Sequence, residues 1–157
     1  MYHTHLHDRR QLTSGLYGAM LVVDSPAAFD QATDHVLVLG RGGPQREAPV
    51  VVNGAVSPQF EWKAGARHRI RLINITPDDI LTVSLQSGDS PVVWRPLTKD
   101  GASLPPDRDA PVPSRQIVGV GETYDFEFEA PPGRRTVWFE VRSPGGRWLS
   151  QARIIIG

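Results

Sequence analysis

At 157 residues, the chain has the length of one ordinary domain with room for a short appended segment. Its 17 basic residues are balanced by 17 acidic ones, which removes any electrostatic case for nucleic acid or an anionic membrane as a partner. It has no cysteine, so neither a disulfide framework nor a thiolate metal site is available, and no apolar run approaches the roughly 20 residues of a membrane-crossing helix.

The chain opens "MYHTHLHDRR". In an extended strand, side chains at i and i+2 share a face about 6.6–6.8 Å apart, so His3, His5 and His7 are expected to project in one direction. Two such imidazoles can converge on one metal, or each can ligate a different ion of a cluster whose metals lie roughly 3.5–4 Å apart. Imidazole suits Cu, Zn, Fe or Ni. The competing readings are a tag or a chance cluster. Tags, however, run contiguously and are not followed by "GLYGAMLVVD". No apolar h-region of a secretory signal is seen at this end.

"YGAMLVV" reads as a strand within 1–24, a segment expected to be the tail of a preceding unit that enters the main domain near Ser25–Pro26. A strand without neighbours leaves its backbone groups unpaired unless it docks on an edge, so loose attachment is expected. "SPAAFDQATDH" at 25–35 offers a turn or two, and no segment offers a convincing helix.

Short strand-like runs then follow at 35–40, 48–54, 66–76, 80–86, 91–97, 115–120, 122–130, 135–143 and 147–156. Turn formers bound them, and β-branched and aromatic residues concentrate inside them. Tyr124, Phe126 and Phe128 alternate with Asp125, Glu127 and Glu129. Val137, Phe139 and Val141 oppose Trp138, Glu140 and Arg142, while Arg67, Arg69 and Arg71 oppose Ile70 and Leu72. One buried and one wet face per strand marks antiparallel sheets packed as a sandwich or closed barrel. The class is all-β, a Greek-key sandwich. "NG" at 53–54 and "PGG" at 144–146 read as turns requiring positive φ, and the proline-rich stretch 99–114 as an extended surface excursion.

Elsewhere the chemistry is sparse. His68 belongs to the Ile70/Leu72 face and reads as structural, whereas His35, beside Asp34 at a strand start, is expected to be exposed. Gly40, Gly42 and Gly43 do not match a phosphate loop, since no Lys-Ser/Thr and no helix follows. Trp62, Trp94, Trp138 and Trp148 are read as core and edge packing rather than a binding face.

"YHTH" followed by "QLTSGLYGAMLVVD" resembles the end of the first cupredoxin domain of multicopper oxidases. "VVNGAVSPQFEWKAGARHRIRLINIT", and then "KDG" and "VGVGETYDFEFEAPPG", are similar to stretches of that family's second domain, in the same order and over nearly the whole chain. The resemblance implies a cupredoxin-type barrel, with 1–24 as the end of a preceding cupredoxin domain and 25–157 as the second domain of a laccase-like oxidase. It implies His3 and His5 as ligands to the coupled copper pair of a trinuclear cluster, one to each copper. No ligand role is implied for His7, and Asp8 is a candidate to hold a ligand's second ring nitrogen.

The family's upstream His-x-His-Gly and downstream His-Cys-His are missing, and a blue-copper site needs a thiolate. The implied function is therefore a fragment of a copper-dependent oxidoreductase that couples substrate oxidation to reduction of dioxygen to water. It would be inactive alone and partnered by further cupredoxin domains, with phenols, other small reductants or metal ions as donors and a periplasmic or secreted setting. The alternative is a non-enzymatic β-sandwich, a structural or binding module with weak or no metal binding. A third reading is a zinc or copper site completed by another chain of an oligomer.

Overall fold

The structure is a computed structural model describing residues 1–157. An N-terminal annex comprises β1 (Tyr2–His3), α1 (Asp8–Thr13) and β2 (Tyr17–Gly18), followed by a single 3₁₀ turn at Pro26–Ala28. The body runs through β3 (Asp34–Arg41), β4 (Val50–Val52), β5 (Gln59–Trp62), β6 (Arg67–Asn74), β7 (Leu81–Ser87), β8 (Ser90–Pro91) and β9 (Val93–Lys99). It continues through β10 (Ala102–Ser103), β11 (Val112–Pro113), β12 (Gln116–Val118), β13 (Thr123–Glu129), β14 (Arg135–Arg142) and β15 (Trp148–Ile156).

Two sheets face one another. The first has the order β10-β9-β13-β6-β3-β4, with β11 also on β9; the second has the order β12-β7-β14-β15-β5, with β8 on β7. Alternation in sequence became alternation in burial: Tyr124, Phe126, Phe128, Val137, Phe139 and Val141 turn inward, and the acidic and basic residues between them turn outward. One cluster of 22 buried apolar residues draws on both sheets, so they share a single core. Trp94 stacks on Phe126 within it, ring centroids 3.9 Å apart and planes 12° from parallel.

The sandwich is not purely antiparallel. β3 runs parallel to β6, and β15 parallel to β5. Strand β5 was not among the expected strands. Gln59 and Glu61 do alternate with Phe60 and Trp62, but the run is only four residues long, and its place is set by pairing with a strand more than 90 residues away, Arg153 opposite Gln59. Two-residue strands β10 and β11 also punctuate the 99–114 excursion. The two expected turns do carry positive φ, at Asn53 and Gly54 and at Gly146.

The first sheet's outer face is a charge ladder. Arg71 joins Asp34 at 2.6 Å and Asp125 at 3.1 Å, and Arg69 joins Asp125 at 2.6 Å. Arg67 meets Glu127 and Glu129, and Arg95 meets Glu127 and Asp109. Cross-strand pairing of β13 with β6 and β9, and of β6 with β3, creates most of these neighbours, so alternation that buries one face makes the other face self-neutralising.

The annex departs from expectation in three ways. A helix does form, over Asp8–Thr13, because Leu12 (6% exposed) packs against Ile73 and Ile75; six residues are too few for periodicity to announce it. The strand predicted over 17–23 is only two residues long. Ala19–Val23 has no backbone hydrogen bond, since no strand edge lies beside it. Finally, attachment is uneven: Met1, Tyr17 and Ala19 join Leu12 against Val36 and Val38, and Arg9 pairs with Asp78 at 2.5 Å, whereas the backbone of Ala19–Val23 is unpaired, as expected of an orphaned strand.

Candidate metal-ligand pair

β1 pairs with β2, Tyr2 opposite Gly18 and His3 opposite Tyr17. The Tyr2 ring lies directly over Gly18, where a Cβ would meet it. The intervening loop is held by the Thr4 hydroxyl donating to Gln11 Oε1 on α1. Within this frame the His3 and His5 rings lie side by side, centroids 4.5 Å apart and planes 42° from parallel. His3 is half-buried and His5 exposed.

His3 Nδ1 lies 3.0 Å from the Thr4 carbonyl. A carbonyl can only accept, so the hydrogen-bond network assigns the proton to Nδ1 and leaves the Nε2 lone pair free. This is the arrangement in which a ligating imidazole has its orientation fixed by its other nitrogen. The two imidazoles fit copper as an incomplete donor set: no group of three His, Cys, Asp or Glu side chains is placed to hold a metal ion. Asp8 accepts from the Arg9 backbone N–H at 2.8 Å and holds neither ring. His7, exposed and with φ of 52°, turns the chain into α1.

A second histidine pair lies in the body. His68 is fully buried, as its place on the Ile70/Leu72 face implies. His35, expected to be exposed, is half-buried instead: its Nε2 lies 2.9 Å from His68 Nδ1, and its ring stacks on Trp62 with centroids 4.2 Å apart. The parallel β3–β6 pairing brings the two together, and nothing local in "DHVLVLG" signals it. Trp62 and Trp94 are core residues, but Trp138 is half-buried and Trp148 is 48% exposed.

This architecture is a multicopper oxidase-like cupredoxin fold. The iron-import multicopper oxidase Fet3p superposes with a TM-score of 0.71 at 10% identity, over 92% of this chain and 31% of its own. The blue copper oxidase of Nitrosomonas europaea gives 0.70 at 18% identity, over 97% of this chain and 54% of its own. The copper nitrite reductase of the same organism gives 0.72 at 18% identity, over 96% and 58% respectively. The likeness at these identities is one of fold, and the chain spans 31–58% of the length of these proteins. No protein-family model and no curated protein sequence matches the chain. No helix is long and apolar enough to cross a membrane.

Proposed function

We propose that the chain is part of a copper-dependent oxidoreductase that couples oxidation of a small reductant to reduction of dioxygen to water, working in a periplasmic or extracellular setting. Residues 1–24 close a preceding cupredoxin domain and 25–157 form a second, structural one. The supporting observation is the His3–His5 ring pair at 4.5 Å, held on a two-stranded annex of a multicopper oxidase-like fold. Copper bound there would supply one-electron redox chemistry. His3 and His5 each offer one imidazole, one to each ion of a coupled pair, and the remaining ligands come from other cupredoxin domains.

The annex supports the same reading. Tyr2, Leu6, Leu16, Met20 and Val22 are all at least half exposed, and Ala19–Val23 is a β-forming run with its backbone unpaired. Such a run is matched by the edge of another sheet, where main-chain hydrogen bonds and alternate side chains both find partners.

Copper titration by calorimetry is the test. Binding at one or two ions per chain, lost on replacing His3 and His5 by Ala, supports the ligand assignment; binding that survives the double substitution overturns it. Oxygen consumption with a phenol by the isolated chain would overturn the claim that it is inactive alone.

A further inference from the structure

The outer face of the second sheet differs in kind from the charge ladder on the first. Pairing places Ile117, Thr82, Arg142 and Trp148 in one row across β12, β7, β14 and β15. At about 4.8 Å per strand, the row spans ~14 Å. Its two ends are exposed apolar side chains, Ile117 at 55% and Trp148 at 48%. Between them the Thr82 hydroxyl is the one buried side-chain polar atom that lacks a hydrogen-bond partner.

A second row, about 6.8 Å further along the strands, carries Ser84, Glu140 and Gln151, and a third carries Gln86, Trp138 and Arg153. The only ion pair on this face is Arg142–Glu140 at 2.9 Å. Arg153, beside Trp138, and Arg115, which leads into β12, have no carboxylate within 4.0 Å. The face is therefore rich in amides, and its guanidiniums Arg115, Arg142 and Arg153 outnumber its carboxylates Glu140 and Glu61; Trp148 ends the first row and Trp138 lies in the middle of the third.

We propose that this face binds an acidic polysaccharide, a chain of pyranose rings bearing carboxylates. The C–H face of a pyranose carries slight positive charge and lies against the negative face of an indole. Gln151 and Gln86 present donors and acceptors for ring hydroxyls, the Gln86 amide being held by donation to the buried Ser84 hydroxyl at 2.9 Å. Arg153 and Arg115 supply unpaired guanidiniums whose planar fork matches a carboxylate.

A protein partner fits less well. Ile117, Trp138 and Trp148 are separated by polar side chains and build none of the continuous apolar centre that protein interfaces use. Nucleic acid would need a continuous basic stripe along successive phosphates, whereas Arg115 and Arg153 stand at β12 and β15 with Glu140 of β14 between them.

The test is affinity electrophoresis and calorimetry of the full chain against polygalacturonate, a soluble neutral glucan and an oligothymidylate. Polygalacturonate is expected to retard the chain, less so at high salt. Trp148→Ala and Arg153→Gln, both at exposed positions, are each expected to weaken binding about fivefold with the thermal midpoint unchanged. Absence of retardation overturns the proposal, as does retardation insensitive to both substitutions. Equal or tighter binding of the glucan or the oligothymidylate overturns the acidic-glycan assignment.

Discussion

His35 Nε2 lies 2.9 Å from His68 Nδ1, and His68 Nε2 lies 2.9 Å from the Lys63 carbonyl. The carbonyl accepts, so His68 carries its proton on Nε2 and must accept at Nδ1. His35 therefore donates from Nε2, and its remaining basic atom is Nδ1. The chain of bonds exists with both rings neutral, and it ties β3, β6 and the turn after β5 together.

Burial, followed by the neighbouring His68, lowers the His35 pKa to about 4, against the opposing pull of Asp34 and Asp30. Burial also lowers that of His68, opposed by its bond to Lys63. Between the ordinary histidine value of 6.5 and about 4, the unfolded chain binds more protons than the folded one, so acid favours unfolding. The thermal midpoint is expected to fall as pH drops from 6.5 towards 4. The advantage of the native chain over His35→Gln should narrow across that window. An advantage that stays constant with pH would show that His35 is not the titrating group.

Arg71 is the hub of the charge ladder. Its side chain is 11% exposed, against 12% for Asp34 and 15% for Asp125. Arg71→Ala leaves the Asp34 carboxylate without its cation and Asp125 with Arg69 alone, and is expected to cost about 3 kcal/mol, read from urea midpoints. Arg67→Ala, on a side chain 63% exposed, is expected to cost under about 1 kcal/mol. Equal losses would mean that burial does not set the strength of these pairs.

Asn74 is fully buried, and its amide is saturated. Its nitrogen donates to the carbonyls of Asp79, Val118 and Gly119, and its oxygen accepts from the Thr76 N–H and hydroxyl. It binds the end of β6 to the loops before β7 and after β12. Asn74→Ala strands these groups and is expected to destabilise the fold by about 3 kcal/mol, measured by reversible denaturation. A loss below 1 kcal/mol on the order of a surface substitution would contradict this role.

Attachment of the annex can be read by hydrogen exchange. Amides of Ala19–Val23 have no acceptor and are expected to exchange quickly, whereas the Gln11 and Ser14 amides, bonded to the His7 and Arg10 carbonyls, are expected to be slower. Leu12→Ala should abolish that difference, at a local cost of about 2 kcal/mol. Gly40→Ala should act likewise, because its methyl would meet the Tyr17 hydroxyl. Strong protection across 19–23 would show that the run has found a sheet edge.

Local periodicity by itself determined most of the sandwich: which runs are strands, which face of β6, β13 and β14 turns inward, and where Asn53–Gly54 reverses the chain. Alternation of apolar and polar side chains is written residue by residue, and burial enforces it without reference to distant partners. The adjacency of His3 and His5 is legible for the same reason, being a matter of two residues of separation.

Tertiary structure alone decided what depends on register between distant strands. It closed the His35–His68 bond across 33 residues, lodged Leu12 against Ile73 and so made a helix of Asp8–Thr13, and set β5 parallel to β15. It also left the backbone of Ala19–Val23 without a partner despite its strand-forming composition, and it gathered Ile117, Thr82, Arg142 and Trp148 from four strands into one row. Each of these is a long-range pairing, and the free energy that selects it comes from packing the whole core rather than from any stretch of sequence.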